Sequence, residues 1–350
     1  MGQTGAVCSA SWVVAVAIAS VSLLSSSVGD ARAQSRAFWI FVSLPSLDQV
    51  AVIDFDTLAV TNFDVSAPEG GPNRPWGITA SPQLGAVVAI LNESNFMAVL
   101  FPGIGQIAGF PLGPRPTNGE IDPTDPQAGW VALQGIRSVQ EAGANGPGAI
   151  AKTDARTPWD VAISATNIVV GGKKGADLLD PAAFARGAAR GKPEIKGKDV
   201  RSVDCNSTGT ECAASDFKLN KLTLFDPDTG TINAEVNLRK HKRPYGVDYF
   251  PGDDDILAVA SNKKNEVVCI DASDARVAAA AALLSVTKVG KRPTEVEWLG
   301  STGYLAVANS GDSTVSIVQL DQTGGAFACT TVFTIPLAGP PQDVAVLPKS

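Results

Sequence analysis

The sequence predicts an all-β protein, because short apolar-alternating segments separated by turn residues recur along the chain and hardly any segment has helical periodicity. Five segments share one pattern, in which a proline and two variable residues are followed by such a strand. The prolines are Pro75, Pro158, Pro244, Pro293 and Pro341. Their spacings are 83, 86, 49 and 48 residues. Units of about 48 residues with about four strands each are typical of the blades of a β-propeller.

Within each repeat the predicted elements follow one order. The first strand is followed by a tight turn, as at 81–85, and then by an apolar second strand, as at 256–260. An asparagine stands just beyond the second strand in three repeats, at Asn92, Asn262 and Asn309. A third strand ends in or near an acidic residue. This order supports four-stranded blades.

The two ends of the chain predict how the ring closes. Residues 342–347 form a first strand with nothing after it, whereas 38–43, 49–54 and 59–63 are later strands with no first strand before them. Together they make one blade, built from both termini. A two-domain β-sandwich is the less favoured architecture.

Several repeats resemble the YVTN-type β-propeller family, which is related to surface-layer and lactonase-like propellers. The resemblance rests on Arg243-Pro-Tyr-Gly-Val, Arg292-Pro-Thr-Glu-Val, Tyr304-Leu-Ala-Val-Ala-Asn309 and Thr314-Val-Ser-Ile-Val318. It is clear over 243–350, fair over 38–112 and poor over 113–156 and 172–217. It implies a propeller, usually of seven blades, and it implies no particular activity, since propellers have many unrelated functions.

The blade count depends on the two long spacings. If each holds two blades, the ring has seven; if each holds one blade and a long insertion, it has five. We favour seven blades in a single domain, 34–350, with irregular insertions near 113–156 and 172–217. The second insertion is rich in Lys and Arg and could contact an anionic surface or be a mobile loop.

The N-terminal segment has the features of a signal peptide. Residues 12–24 are an apolar run too short to span a bilayer, and Ala31 and Ala33 fit a small-residue cleavage site. We therefore predict a signal peptide over 1–33 and a secreted or periplasmic protein with no membrane span after cleavage. An uncleaved anchor is the alternative, because residues 1–11 contain no Lys or Arg.

Export would permit disulfides. Cys205 and Cys212 flank a short polar loop, and we predict a disulfide between them. Cys269 and Cys329 lie in predicted strands, where buried free thiols are the simpler expectation.

The charge and the histidine count exclude several classes of function. A net charge of −7 over 350 residues makes nucleic acid an improbable partner. A single histidine, His241, excludes zinc sites built on several histidines, and its basic surroundings predict a surface loop. We expect a monomer.

The first strand of each blade should line the central channel. The second residue after the repeated proline is Asp160, Glu295 and Asp343 in three repeats, and glycine in two. Three carboxylates at one level could form a ring that binds Ca²⁺ or Mg²⁺ through oxygen ligands. They could instead be solvated charges at the channel mouth, or form hydrogen bonds with neighbouring loops. Glu297 should face the channel as well if Glu295 does.

Aromatic residues occupy the preceding position in three repeats. Trp76, Trp159 and Tyr245 are therefore candidates to face a ligand, although packing between blades is the more ordinary role for such residues.

Two functional hypotheses follow. The favoured one is a binding or scaffold protein that presents its loop insertions to a protein or glycan partner. The alternative is a metal-dependent hydrolase or lactonase-like enzyme, in which a cation bound by Asp160, Glu295 and Asp343 would polarise a carbonyl and activate water.

Overall fold

The structure is a computed structural model that describes residues 37–122, 125, 128–143, 146–184, 195–277, 283–321 and 328–349. Seven four-stranded antiparallel sheets are arranged in a ring, so the protein is a seven-bladed β-propeller. The predicted fold class and the favoured blade count are therefore confirmed. The predicted signal peptide, 1–33, lies outside the described residues. None of the helices in the described ranges is long and apolar enough to span a membrane.

The blades are numbered in chain order, and within a blade the strands run from the channel to the rim. Blade 1 contains β28 (Val344–Pro348), β1 (Phe38–Leu44), β2 (Gln49–Asp54) and β3 (Val60–Asp64). Blade 2 contains β4 (Pro75–Ser81), β5 (Ala86–Leu91), β6 (Phe96–Phe101) and β7 (Gly105–Pro111). Blade 3 contains β8 (Pro116–Ile121), β9 (Gly129–Leu133), β10 (Ser138–Gly143) and β11 (Gly146–Lys152).

The remaining blades follow the same order. Blade 4 contains β12 (Pro158–Ile163), β13 (Ile168–Gly172), β14 (Gly175–Leu179) and β15 (Ile195–Lys196), with α1 (Pro181–Phe184) before β15. Blade 5 contains β16 (Val200–Cys205), β17 (Cys212–Asp216), β18 (Lys221–Phe225) and β19 (Ile232–Asn237). Blade 6 contains β20 (Pro244–Tyr249), β21 (Ile256–Ser261), β22 (Glu266–Asp271) and β23 (Leu283–Lys288), with α2 (Ala272–Val277) before β23. Blade 7 contains β24 (Pro293–Trp298), β25 (Tyr304–Asn309), β26 (Thr314–Asp321) and β27 (Ala328–Pro336).

The ring closes through blade 1, as the chain ends predicted. The C-terminal strand β28 pairs antiparallel with the N-terminal strand β1, with Val344 opposite Val42 and Pro348 opposite Phe38. The side chains of Ile40 and Val42 are fully buried and join a cluster with Ala306 and Ile317 of blade 7. Apolar packing between neighbouring blades therefore forms the core, and the terminal pairing completes it.

A repeated turn fixes where each new blade begins. Asn95, Asn220 and Asn265 adopt positive φ in the turn between the second and third strands. Each side-chain oxygen accepts a hydrogen bond from the backbone N–H of the arginine that precedes the next blade, at 2.7, 2.8 and 3.0 Å. Asparagine tolerates the left-handed conformation better than most residues. The bond fixes the backbone of the residue before the proline and does not involve the arginine side chain.

The two long repeat spacings each contain two blades. Residues 113–156, expected to be an irregular insertion, contain all four strands of blade 3. Residues 172–217 contain β14 to β17. The repeat pattern is hard to recognise in these two spacings. In blade 3, Thr117, Asn118 and Gly119 follow Pro116 in place of an apolar run. Blade 5 begins at Val200 and has no proline at this position. Part of the predicted basic insertion, 185–194, lies outside the described residues.

Two disulfides link strands. The predicted pair, Cys205 and Cys212, joins β16 to β17. Cys269 and Cys329 also form a disulfide, so the expectation of free thiols was wrong. They lie on β22 and β27, in neighbouring blades whose facing side chains form one buried cluster. The sequence does not reveal which faces of two strands 60 residues apart will meet.

We expect the two disulfides to contribute unequally to stability. Cross-linking restricts the unfolded chain more when the closed loop is longer, and the sequence separations are 60 and 7 residues. On the chain-entropy model, Cys269→Ala with Cys329→Ala should lower the free energy of unfolding by about 4 kcal/mol, and Cys205→Ala with Cys212→Ala by about 2 kcal/mol. Urea unfolding of both double variants measures this, and the reverse ranking would contradict it.

Candidate functional site

The innermost strands place seven equivalent residues around the channel. The residue two positions after the start of each repeat defines an upper ring: Gly77, Asn118, Asp160, Ser202, Gly246, Glu295 and Asp343. Successive members of this ring are 41 to 49 residues apart, which is the length of one blade. The structure therefore brings the three predicted carboxylates, Asp160, Glu295 and Asp343, to the same level of one channel, where all three line the same cavity.

A lower ring lies two residues further along each strand. It contains four carboxyl groups, those of Glu120, Asp204, Asp248 and Glu297. Glu297 was expected to face the channel, and it lines the cavity. The other three were missed because blades 3 and 5 were not recognised in the sequence and because the two-residue period was not followed in blade 6.

The channel contains two connected cavities. The larger has an empty volume of about 1400 Å³, including its open mouth, and extends to Pro82, Gln83 and Pro251 in the turns between first and second strands. The smaller, of about 290 Å³, lies at the other end. Asn118, Glu295 and Asp343 line both cavities, so the upper ring separates them.

The carboxylates of the upper ring join neighbouring blades. Asp160 accepts hydrogen bonds from Asn118 Nδ2 of blade 3 at 2.9 Å and from the backbone N–H of Val203 in blade 5 at 3.0 Å. Asp343 accepts one from the backbone N–H of Ile78 in blade 2 at 2.8 Å. The channel edge of each inner strand leaves its N–H groups unpaired, and these carboxylates satisfy them.

The lower ring repeats this bond. Glu120 accepts from the N–H of Ile163 at 2.9 Å, Asp204 from Tyr249 at 2.7 Å and Asp248 from Trp298 at 2.6 Å. In each pair the carboxylate belongs to one blade and the N–H to the next. Acidic side chains in the channel are therefore part of the contacts that hold the blades together.

Glycine in the upper ring leaves room for a neighbouring side chain. A Cβ atom at Gly246 would collide with the side chain and backbone of Glu295, and one at Gly77 would collide with Asn118. Close approach between inner strands therefore requires glycine at both positions, which explains why two of the five recognised repeats lack an acid there.

Burial raises the pKa of the channel carboxyl groups. Desolvation is the largest cause throughout, and it raises the pKa of Asp160 and of Asp204 to about 6, against the lowering effect of their backbone hydrogen bonds. The pKa of Asp343 is raised to about 8, by desolvation first and also by the charge of Asp160.

The pKa values of four further carboxyl groups are raised well above their ordinary values. Desolvation is again the main cause for Glu120, Asp248, Glu295 and Glu297, and neighbouring carboxylates add to it. Asp204 and Asp248 also share a hydrogen bond, which lowers the pKa of Asp204 and raises that of Asp248.

An aromatic pocket closes the narrow end of the channel. Trp76, Trp159 and Tyr245, the three aromatic candidates, all line the smaller cavity. Arg201 lies beside them, with its guanidinium 4.0 Å from the centre of the Trp159 ring. Asp199 accepts hydrogen bonds from Arg201 Nη2 at 3.1 Å and from Trp159 Nε1 at 3.2 Å. Trp159 therefore contacts both the cavity and blade 5.

Arg201 was not recognised in the sequence. It stands at the position that Trp76, Trp159 and Tyr245 occupy in their own repeats, but blade 5 has no proline to mark that position. The spacing of about 42 residues from Trp159 was the available signal.

A metal site remains a prediction. Within the described ranges, no three His, Cys, Asp or Glu side chains are already arranged to hold a metal ion. The channel offers only oxygen ligands, which suit Ca²⁺ and Mg²⁺ in type. His241 lines neither cavity; its Nδ1 is 2.7 Å from Oε1 of Glu266 near the protein surface.

Comparison with known proteins identifies the fold alone. No protein-family model matches the chain, and no curated protein matches it in sequence. Among solved structures, a hydrazine synthase chain of Kuenenia stuttgartiensis is 17% identical, with a TM-score of 0.67 over 80% of this chain and 91% of that one. AztD of Citrobacter koseri is 14% identical, with a TM-score of 0.61 over 90% and 99%. A proposed 6-phosphogluconolactonase of Bacteroides fragilis is 13% identical, with a TM-score of 0.68 over 91% and 100%.

We expect stability to fall as pH rises through the channel pKa values. A carboxyl group whose pKa is raised in the folded state favours folding at low pH, and this contribution is lost as pH rises through the folded pKa. For Asp343 the loss spans pH 4 to about 8. Asp343→Asn should therefore melt close to wild type at pH 4 and at a higher temperature than wild type at pH 9.

Asp226→Asn is the matched control, because the pKa of Asp226 is lowered, first by its hydrogen bond from the backbone of Thr229. Its melting temperature should fall below that of wild type once the pH exceeds about 4. If the melting temperature of Asp343→Asn relative to wild type is no higher at pH 9 than at pH 4, the raised pKa of Asp343 is wrong.

Proposed function

We propose that the protein is a binding protein that takes up a positively charged ligand in its acidic channel. One observation carries the proposal. Eight carboxyl groups from six blades line the larger cavity, the seven of the two rings and that of Asp122, and no Lys, Arg or His does so among the described residues. Like charges buried together are costly, and a bound cation offsets that repulsion.

The charge of the surrounding face supports entry from the wide end. The turns that join first to second strands and third to fourth strands lie on this face, which we call the acidic face. The described residues of this face include eleven Asp and Glu but only two basic residues. These are Arg276 and Lys349, which follows β28. A field of one sign at the mouth of a cleft raises the local concentration of oppositely charged ligands.

Two kinds of cation suit the channel. An inorganic ion, Ca²⁺ or Mg²⁺, would be bound by the predicted ligands Asp160, Glu295 and Asp343. An organic polyamine would span both rings, because its amino groups are spaced along a chain. In either form the cation must displace the protons that the channel carboxyl groups hold, so that binding should strengthen as pH rises.

Titration calorimetry with Ca²⁺, Mg²⁺ and spermidine tests the proposal. The variant Asp160→Asn, Glu295→Gln, Asp343→Asn keeps the shape of the upper ring and removes its charge. We expect its affinity for the bound cation to fall at least about 100-fold, since hydrogen bonds to charged groups contribute about 1.5–3 kcal/mol each.

A control variant separates the channel from the general charge of the protein. Asp226→Asn, Asp228→Asn and Asp274→Asn remove three acids from the acidic face that do not line the cavity. This variant should bind within a few-fold of wild type. If all three probes fail to bind at pH 8, or if both variants weaken binding equally, the channel is not a cation site.

Export and a monomeric state belong to the same proposal. Two disulfides support a non-cytoplasmic location, because disulfides persist in oxidising compartments. The protein or glycan partner expected from loop insertions has less support, since much of 113–156 and 172–217 forms blades.

A hydrolase is the second candidate, and the carboxyl pair of the lower ring favours it. Asp204 could accept a proton from water, and Asp248, whose pKa burial raises well above its ordinary value, could donate one. A bound divalent ion would polarise the carbonyl of the substrate. The similarity in fold to a proposed 6-phosphogluconolactonase points to lactones as the first substrates to assay.

Hydrolysis of glucono-δ-lactone, followed with and without Ca²⁺ or Mg²⁺, tests this second candidate. If the protein is a hydrolase, the rate should exceed the spontaneous rate, and Asp204→Asn should reduce the excess at least about 100-fold, as loss of a general base does. Asp226→Asn serves as the control and should leave the rate unchanged. No excess over the spontaneous rate for several lactones would remove this candidate.

A further inference from the structure

The face opposite the acidic face carries the reverse charge. It is formed by the links between blades and by the turns between second and third strands, and we call it the link face. These segments are 45–48, 65–74, 92–95, 112–115, 134–137, 153–157, 173–174, 197–199, 217–220, 238–243, 262–265, 289–292, 310–313 and 337–343. They contain sixteen Lys and Arg but only seven Asp and Glu. A protein of net charge −7 therefore presents one strongly basic face.

All sixteen basic residues of the link face are exposed. They are Arg74, Arg115, Arg137, Arg156, Lys173, Lys174, Lys198, Lys218, Arg239, Lys240, Lys242, Arg243, Lys263, Lys264, Lys291 and Arg292. Only four of the seven acids are exposed, namely Glu69, Glu93, Asp154 and Asp312. The acids therefore leave most of this positive charge uncompensated at the surface.

Half of the basic residues are concentrated around blade 6. Three neighbouring loops, 238–243, 262–265 and 289–292, contribute eight of the sixteen and no acid. The repeated turn holds their backbone, since Asn220 and Asn265 bind the N–H groups of Arg243 and Arg292. Hydrogen bonds to backbone N–H groups therefore hold the conformation of these loops. Most of the charged side chains take no part in those bonds.

The distribution of charge indicates the kind of partner. Half of the basic residues lie around blade 6, and the other eight come from loops between the link before blade 2 and blade 5, whereas 310–313, 337–343 and 45–48 contain none. A small acidic protein or a single strand of polymer would contact only some of them. A planar anionic surface can contact many loops at once.

We propose that the link face docks on an anionic lipid bilayer and attaches the propeller peripherally. The acidic face and the wide end of the channel then point away from the membrane, because they lie at the opposite ends of the strands. Each Lys or Arg held near an anionic leaflet strengthens attachment by about fivefold, equivalent to about 1 kcal/mol. This inference is independent of the proposed function, since it rests on other residues and another face.

Vesicle flotation of the full chain tests the proposal. The probes are vesicles of phosphatidylcholine alone and of phosphatidylcholine mixed with phosphatidylglycerol. We expect binding only to the anionic vesicles, with loss of binding between ~0.1 and ~0.5 M NaCl because salt screens exposed charges. The variant Lys242→Gln, Lys263→Gln, Lys291→Gln should partition about 100-fold more weakly than wild type.

The matched control is Lys242→Arg, Lys263→Arg, Lys291→Arg, which keeps the charge and should bind like wild type. All three lysines are exposed loop residues, and melting temperatures will show that both variants remain folded.

Two outcomes would overturn the proposal. Binding to neutral vesicles that resists salt would show that the apolar segment 12–24 attaches the chain instead. Salt-sensitive retention on heparin without vesicle binding would assign the face to an anionic polysaccharide.

Discussion

The structure depends on a hydrogen bond between a carboxylate of one blade and a backbone N–H of the next. The innermost strand of every blade is an edge strand. Its N–H groups that face the channel would otherwise have no hydrogen-bond partner. Asp343, Asp160, Glu120, Asp204 and Asp248 each accept such a bond. The ring is therefore held near its axis by acidic side chains, in addition to the apolar packing further out.

This way of joining blades also creates the candidate site. Carboxyl groups placed to satisfy edge strands necessarily face one another across a desolvated space, and their pKa values rise together. The protein can relieve the repulsion by holding protons or by binding a cation. The proposed cation binding would therefore use the residues that join the blades, and it would compete with protonation of the same carboxyl groups.

Charge is separated along the axis of the ring. The basic loops lie on the link face, and the acidic turns lie on the other, so that the wide end of the channel opens among acids while the aromatic pocket opens among bases. Because neighbouring strands run in opposite directions, the basic loops and the acidic turns lie at opposite ends of the strands. One face is therefore suited to attract cations and the other to meet anionic surfaces.

The sequence by itself determined the repeat, the strand order within a blade and the closure of the ring, because each depends on local hydrophobic pattern and on the two chain ends. It also placed Asp160, Glu295 and Asp343 at equivalent positions, since a shared proline marks them. Asp204 and Arg201 were not recognised, because blade 5 begins without that proline and only the spacing from blade 4 marks their positions. Only the tertiary structure decided that Cys269 meets Cys329, that the seven carboxyl groups of the two rings share one cavity with Asp122, and that exposed charge divides between two faces. Each of these features depends on which strand faces and which loops lie close together in three dimensions. A repeat pattern in the sequence does not specify the distances between them.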